Sequence, residues 1–138
     1  MVTRVKIDLE NLGFSTLFEK ITRTHVRDSF PYTDVIYFVV NPGFVGKALG
    51  KGAVNIKKLQ DRLNKRVRII EYSSSAKTFV ERVMYPLKVE EILENESELI
   101  LKDTNTKTKG KLIGRDGSNL RILNEIVGRF FQKKVKVE

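Results

Sequence analysis

The chain has 138 residues, 41% of them hydrophobic, and 26 Lys and Arg against 17 Asp and Glu leave a formal net charge of +9. That length holds one ordinary domain or two very small ones, and that apolar fraction suffices for packed cores. The lack of cysteine excludes disulfides, thiolate metal sites and cysteine nucleophiles.

In chain order, residues 12–24 read as a helix and residues 26–32 as a strand. Residues 35–40 form a β-branched and aromatic run that ends at Asn41-Pro42-Gly43, the pattern of a buried strand followed by a break. This is also the longest apolar run, far short of a membrane span, and Met1-Val2-Thr3-Arg4-Val5-Lys6 has no apolar leader. A soluble, cytoplasmic chain without membrane contact is expected. A short helix over residues 44–49 leads into Gly50-Lys51-Gly52-Ala53, followed by a longer helix to about Asn64 and a closing strand that includes Val67, Arg68 and Ile69. Ser73-Ser74-Ser75 reads as a polar linker, which divides the chain into domains at residues 1–73 and 74–138. The same elements then recur: a helix over 77–85, strands over 87–93 and 98–102, a short helix over 109–113, Gly114-Arg115-Asp116-Gly117, a helix to about Phe131, and a closing strand at Val135, Lys136 and Val137.

The recurrence is a sequence repeat. A shift of 64 positions lays Ala48-Leu49-Gly50-Lys51-Gly52-Ala53-Val54-Asn55-Ile56-Lys57 on Leu112-Ile113-Gly114-Arg115-Asp116-Gly117-Ser118-Asn119-Leu120-Arg121. Apolar residues at 56, 59 and 63 fall on those at 120, 123 and 127, at helical spacing. After four more residues of shift, Lys65-Arg66-Val67-Arg68-Ile69 matches Lys133-Lys134-Val135-Lys136-Val137, which predicts a second helix one turn longer. The excess charge sits in these copies. Residues 1–42 are net 0, residues 43–70 net +7, residues 71–101 net −4 and residues 102–138 net +6.

A backbone that turns from one helix directly into another exposes amides at the start of the second, where the helix dipole also favours an anion. Glycine permits the sharp turn and lets a phosphate approach the main chain. Lys51 and Arg115 add a cation at each turn, flanked by Lys47, Lys57, Lys58, Lys111 and Arg121. Phosphate contacts position a nucleic acid without reading its bases. Base choice is expected in the groove between the second helix and the closing strand. Asn55 and Asn119 share one repeat position and are candidates either to touch the ligand or to cap the helix.

A strand, a short helix, a GxxG turn and a second helix resemble the KH domain, which clamps about four nucleotides of single-stranded nucleic acid at that turn. With a helix and strand before each core, the copies look like the type II arrangement, so the expected fold is α+β: two tandem KH domains, each a small three-stranded sheet covered by helices. Two such units 64 residues apart resemble the tandem KH region of the NusA family, and a chain of only these units is similar to its short archaeal members. The resemblance implies single-stranded RNA as ligand, RNA polymerase or other transcription factors as partners, and a role in transcription elongation, termination or antitermination. It implies no enzymatic activity, no metal and no cofactor, and a monomer is the favoured oligomeric state. The RNA-binding set it points to is Lys47, Gly50, Lys51, Gly52, Ala53, Asn55, Lys57, Lys58, Lys111, Gly114, Arg115, Asp116, Gly117, Asn119 and Arg121. Ala53 departs from the final glycine of the pattern, and Asp116 places a carboxylate inside the second loop. The first loop is therefore expected to be electrostatically stronger and the second closer to the family pattern.

Plainer readings stand beside these. Lysines on the second helices also fit an ordinary solvated face. Ile122 and Ile126 replace Lys58 and Arg62 and widen the apolar face of the later helix, which reads as a surface for packing against the other unit rather than a ligand site. The acidic residues Glu90, Glu91, Glu94, Glu96 and Glu98 suggest a metal-dependent nuclease only weakly, because no histidine or ion-binding loop accompanies them. His25 reads as a structural residue at an element end, and Phe14, Phe18, Phe30 and Phe38 as core. A ribosome-associated or ribosome-assembly role for the same fold is the alternative to a transcriptional one.

Overall fold

A computed structural model describes residues 13–138. The start of the expected helix at Leu12 and the segment Met1–Lys6 lie outside the described residues. The chain divides between Tyr72 and Ser73 into two compact units. The first contains α1 (residues 13–22), β1 (Val26–Tyr32), β2 (Val35–Val40), α2 (Val45–Leu49), α3 (Val54–Leu63) and β3 (Arg66–Glu71). The second contains α4 (Ala76–Met84), β4 (Glu91–Glu94), β5 (Glu98–Lys102), α5 (Thr106–Ile113), α6 (Ser118–Gly128) and β6 (Lys134–Val137). Single 3₁₀ turns, Lys51–Ala53 and Arg115–Gly117, join the paired helices.

Each unit has a three-stranded sheet in the order β1-β2-β3 or β4-β5-β6. The middle strand pairs antiparallel with the strand before it and parallel with the closing strand. Parallel pairing requires a crossover, and the helix–turn–helix supplies it. The fold therefore suspends each glycine turn between two helices that must return the chain to the same sheet.

Period-2 alternation along β2 sends Ile36, Phe38 and Val40 towards the helices, where they form a core with Phe18, Ala48, Leu59 and Val67. Phe18 stacks on Phe38 at a centroid distance of 4.4 Å. Phe30 is buried as well, and Phe14 packs partly buried against the core. In the second unit Leu99, Leu101, Leu112 and Ile126 are fully buried, and α6 packs on α4. Phe79 meets Phe130 at 5.3 Å and Phe131 at 5.6 Å.

Several boundaries differ from expectation. The strand expected over 87–93 begins only at Glu91, because the Leu87 amide donates to the Met84 carbonyl and holds the chain in a turn. Helix α5 begins three residues earlier than expected, at Thr106. Asn105 Oδ1 caps it, accepting from the amides of Lys107 and Thr108 at 2.9 and 3.1 Å. Helix α6 ends at Gly128 rather than near Phe131, and the Phe130 and Phe131 amides both fold back onto the Val127 carbonyl. Ser75 belongs to structure rather than linker, since its Oγ accepts from the Thr78 amide at 3.3 Å as the cap of α4.

Candidate nucleic-acid interface

The two glycine turns are close copies in backbone as well as in sequence. Gly50 ends α2 at φ 74°, ψ 171°, and Gly114 ends α5 at φ 74°, ψ 176°. That region of φ/ψ space is essentially closed to residues with a Cβ. Two residues on, each turn passes through two successive left-handed positions: Gly52 (φ 63°) and Ala53 (φ 57°) in the first, Asp116 (φ 56°) and Gly117 (φ 75°) in the second. Each turn thus has one glycine and one non-glycine in the left-handed pair, in opposite order.

Asn55 and Asn119 neither cap the helix nor face away from the turn. Asn55 Nδ2 donates to the Lys47 carbonyl at 3.4 Å, and Asn119 Nδ2 donates to the Lys111 carbonyl at 2.8 Å. Each amide reaches back across the loop and ties the second helix to the last turn of the first. The space it needs is left by the opening glycine: a Cβ on Gly50 would lie 2.8 Å from Asn55 Nδ2, and one on Gly114 would lie 2.8 Å from Asn119 Cγ. Glycine and asparagine form one interlocked device, used twice.

Ala53 and Gly117, the N-caps of α3 and α6, contribute no side-chain acceptor to the first turn. The Val54 and Ser118 amides bond to the Lys51 and Arg115 carbonyls. No side chain therefore caps the start of α3 or α6, and the positive end of each helix dipole faces the loop without a neutralising cap. Asp116 does not serve as that cap. Its carboxylate is exposed on the loop, while its backbone carbonyl accepts from Arg121 Nη1 at 2.6 Å. Arg121 thereby braces the second loop.

Of the remaining candidates, Lys47, Lys51, Lys111 and Arg115 are exposed at the helix ends and turns. Lys57 is exposed on α3. Lys58 lies elsewhere, in a hollow shared with Ile21, Asp61 and Arg62 beside α1. Apolar side chains absent from the expected set also flank the turns: Phe44 and Val54 around the first are 44% and 41% exposed, and Ile113 beside the second is 37% exposed. For Val54 and Ile113 the available sequence signal was a β-branched residue directly beside the glycine turn.

The closing strands are less uniformly basic than their sequences. Lys133 Nζ lies 3.2 Å from a Glu94 carboxylate oxygen and donates to the Asn95 carbonyl, and Lys136 pairs with Glu98. Hydrogen bonding to Lys136 and then to Asn95 holds the Glu98 carboxyl below its ordinary pKa, and Glu98 raises that of Lys136. In the first unit Arg66 pairs with Asp34 at 3.1 Å and lowers its pKa, chiefly through their hydrogen bond. Burial lowers the pKa of Arg68.

The acidic stretch has structural uses. Glu90 Oε1 accepts from the Thr104 amide at 3.1 Å, and Glu94 and Glu98 hold the lysines just described. Among the described residues no group of three or more His, Cys, Asp or Glu is placed to hold a metal ion. His25 sits at the corner before β1, where its Nδ1 lies 2.8 Å from Glu19 Oε2, which also accepts the Val26 amide. No described helix is long and apolar enough to cross a membrane.

Two repeats of a helix–glycine turn–helix, each on its own three-stranded sheet, define a tandem α+β protein that presents two basic, uncapped turns. No family model matches the chain. It is 32% identical over 138 residues to the probable transcription termination protein NusA of Methanococcus vannielii, covering 97% of this chain and 80% of that one. It is 27% identical to the protein of the same name in Thermoplasma acidophilum, over 94% of this chain and 92% of that one. Its fold matches the crystal structure of APE1850 with a TM-score of 0.77 at 26% identity, covering 94% of this chain and 99% of that one. The chain belongs to the archaeal NusA family of probable transcription termination proteins.

Proposed function

We propose that this chain is a non-enzymatic RNA-binding factor of transcription termination or antitermination, and that residues 1–73 and 74–138 are type II KH domains that hold single-stranded RNA at their glycine turns. The carrying observation is the interlocked Gly–Asn turn, built twice on matching backbones inside the two strongly basic blocks of the sequence. Lys47, Gly50, Lys51, Gly52, Ala53 and Lys57 form the first contact, with Asn55 shaping it. Lys111, Gly114, Arg115, Asp116, Gly117 and Arg121 form the second, with Asn119 in the same role. Uncapped helix starts give the phosphates amide donors, and the exposed lysines and arginines add charge. Lys58, on the α1 side, contributes charge rather than contact. RNA polymerase and other transcription factors are the partners this reading names, in the cytoplasm and with the chain as a monomer.

The test is fluorescence anisotropy with single-stranded RNA across a salt series, using Lys51→Asp with Gly52→Asp and, separately, Arg115→Asp. Gly52→Asp is compatible with the fold because Asp116 already occupies the equivalent position at φ 56°. Removing one phosphate contact should flatten the log–log salt slope by about 0.7, and reversing the charge should cut affinity roughly tenfold or more. Unchanged affinity with an unchanged circular dichroism spectrum refutes the assignment. Co-sedimentation with ribosomal subunits rather than RNA polymerase would place the same fold in ribosome assembly.

A further inference from the structure

The two turns share a backbone but not their bracing. Asn119 Nδ2 reaches the Lys111 carbonyl at 2.8 Å, whereas Asn55 Nδ2 reaches the Lys47 carbonyl at 3.4 Å, which is long for a hydrogen bond. Only the second turn has a further tie. Arg121 stands five residues past Asp116, and its Nη1 donates to the Asp116 carbonyl at 2.6 Å. A Cβ on Gly117 would lie 3.4 Å from the same nitrogen, so the guanidinium runs beside this glycine. It holds the turn at its left-handed pair, Asp116 at φ 56° and Gly117 at φ 75°.

The repeat supplies a control within the chain. A shift of 64 positions lays Lys57 on Arg121, and the left-handed pair of the first turn matches, with Gly52 at φ 63° and Ala53 at φ 57°. Lys57 is exposed, and its ammonium has no partner among the described residues. Equal charge at this position thus leaves the turn unbraced. The difference is one of geometry, since a guanidinium offers a planar fork of donors and an ammonium is a compact, strongly hydrated charge.

Bracing counts because this backbone is costly. A left-handed φ is unfavourable for a residue with a Cβ, and each turn holds one, Ala53 or Asp116. A site that spends only a fraction of its time in the binding conformation has its affinity reduced by that fraction.

We propose that Arg121 is a positioning residue: by holding the Asp116 carbonyl it presets the second turn for a phosphate, while the first turn, with Lys57 in its place, is fully set only when RNA binds. This rests on the reading of both turns as RNA contacts. The first turn then attracts the strand mainly by charge, and the second holds it with little ordering left to do.

Amide hydrogen exchange on the full chain without RNA reads the bracing, because the amides of Ala53, Val54, Gly117 and Ser118 are bonded inside their own turns. Arg121→Lys keeps the charge and should lower the protection of Gly117 and Ser118 roughly fivefold, as one lost hydrogen bond predicts. Lys57→Arg should raise that of Ala53 and Val54 by a similar factor. Affinity for single-stranded RNA, read by fluorescence anisotropy, should follow: Arg121→Lys weakens it about fivefold with an unchanged log–log salt slope, and Lys57→Arg tightens it. Unchanged protection of Gly117 and Ser118 in a folded Arg121→Lys chain overturns the proposal, and so does lost protection without lost affinity. If Arg121→Lys does not fold, Lys57→Arg decides, and unchanged protection of Ala53 and Val54 overturns the brace. An unaltered chain that binds no RNA instead overturns the RNA reading, and the presetting falls with it whatever the exchange shows.

Discussion

Replacing the opening glycine of each turn by alanine separates backbone strain from side-chain conflict. At Gly114 the new Cβ would lie 2.8 Å from Asn119 Cγ and Nδ2 and 2.9 Å from the Asn119 backbone nitrogen. At Gly50 it would meet only side-chain atoms, Asn55 Nδ2 at 2.8 Å, Asn55 Cγ at 3.0 Å and Val54 Cγ1 at 3.1 Å. Both variants carry the strain of a Cβ at this φ and ψ, about 1–3 kcal/mol. Both also displace the cross-loop amide, whose hydrogen bond contributes about 1 kcal/mol. Only Gly114→Ala must in addition push back the first turn of α6. We expect losses of about 2–4 kcal/mol for Gly50→Ala and a larger loss for Gly114→Ala. The assay is urea unfolding followed by circular dichroism, with the partner asparagine also cut to alanine in a double-mutant cycle. Asn55→Ala should recover about 1 kcal/mol of the Gly50→Ala loss, because it removes two of the three close atoms while the backbone strain stays. Asn119→Ala should recover less, because the backbone nitrogen stays. Equal recovery in the two cycles, or an unchanged midpoint for Gly114→Ala, would refute the interlocked-turn account.

Two further predictions follow from the loop backbone and the ion pairs. Ala53 sits at φ 57° where the second loop has Gly117 at φ 75°, so Ala53→Gly should stabilise the first unit by about 0.5–1 kcal/mol and Gly117→Ala should destabilise the second by about 1 kcal/mol. Opposite signs in thermal melting are the check. The Glu98–Lys136 pair predicts a pH dependence. Because folding lowers the Glu98 pKa from 4.5, its contribution is present above that pH and is lost as pH falls through the folded value. Because folding raises the Lys136 pKa from 10.5, its contribution is present below that pH and is lost as pH rises through the folded value. Urea midpoints of the unaltered chain and Glu98→Gln should therefore differ between these limits and converge in acid. A constant offset down to strong acid would count against the pair.

The 64-residue repeat, both glycine turns, the order of elements in each unit and the location of the charge are legible in the sequence, because periodicity and composition are local properties. Those features also carried the likeness to the NusA family. Phe18 and Phe38 were legible as core for the same reason: apolar side chains at helical and strand spacing have one place to go. Strand boundaries were less legible near Pro86, where a turn bond from Leu87 rather than the apolar pattern sets where β4 begins.

Only the tertiary structure decided what the polar side chains do. Asn55 and Asn119 do not cap the following helix; each instead bonds a carbonyl eight residues away that the turn brings within reach. Lys133 and Arg121 count as free cations by composition, yet one is paired and the other braces a loop carbonyl. Gln60 and Asn124 share one repeat position, yet Gln60 Oε1 accepts the Val67 N–H while Asn124 takes both the N–H and the carbonyl of Val135, a difference that one methylene makes only against the edge of a particular strand. Sequence periodicity fixes which side of an element a residue occupies. Which partner waits there depends on strand pairing and loop geometry, and these form only when distant segments of each unit meet.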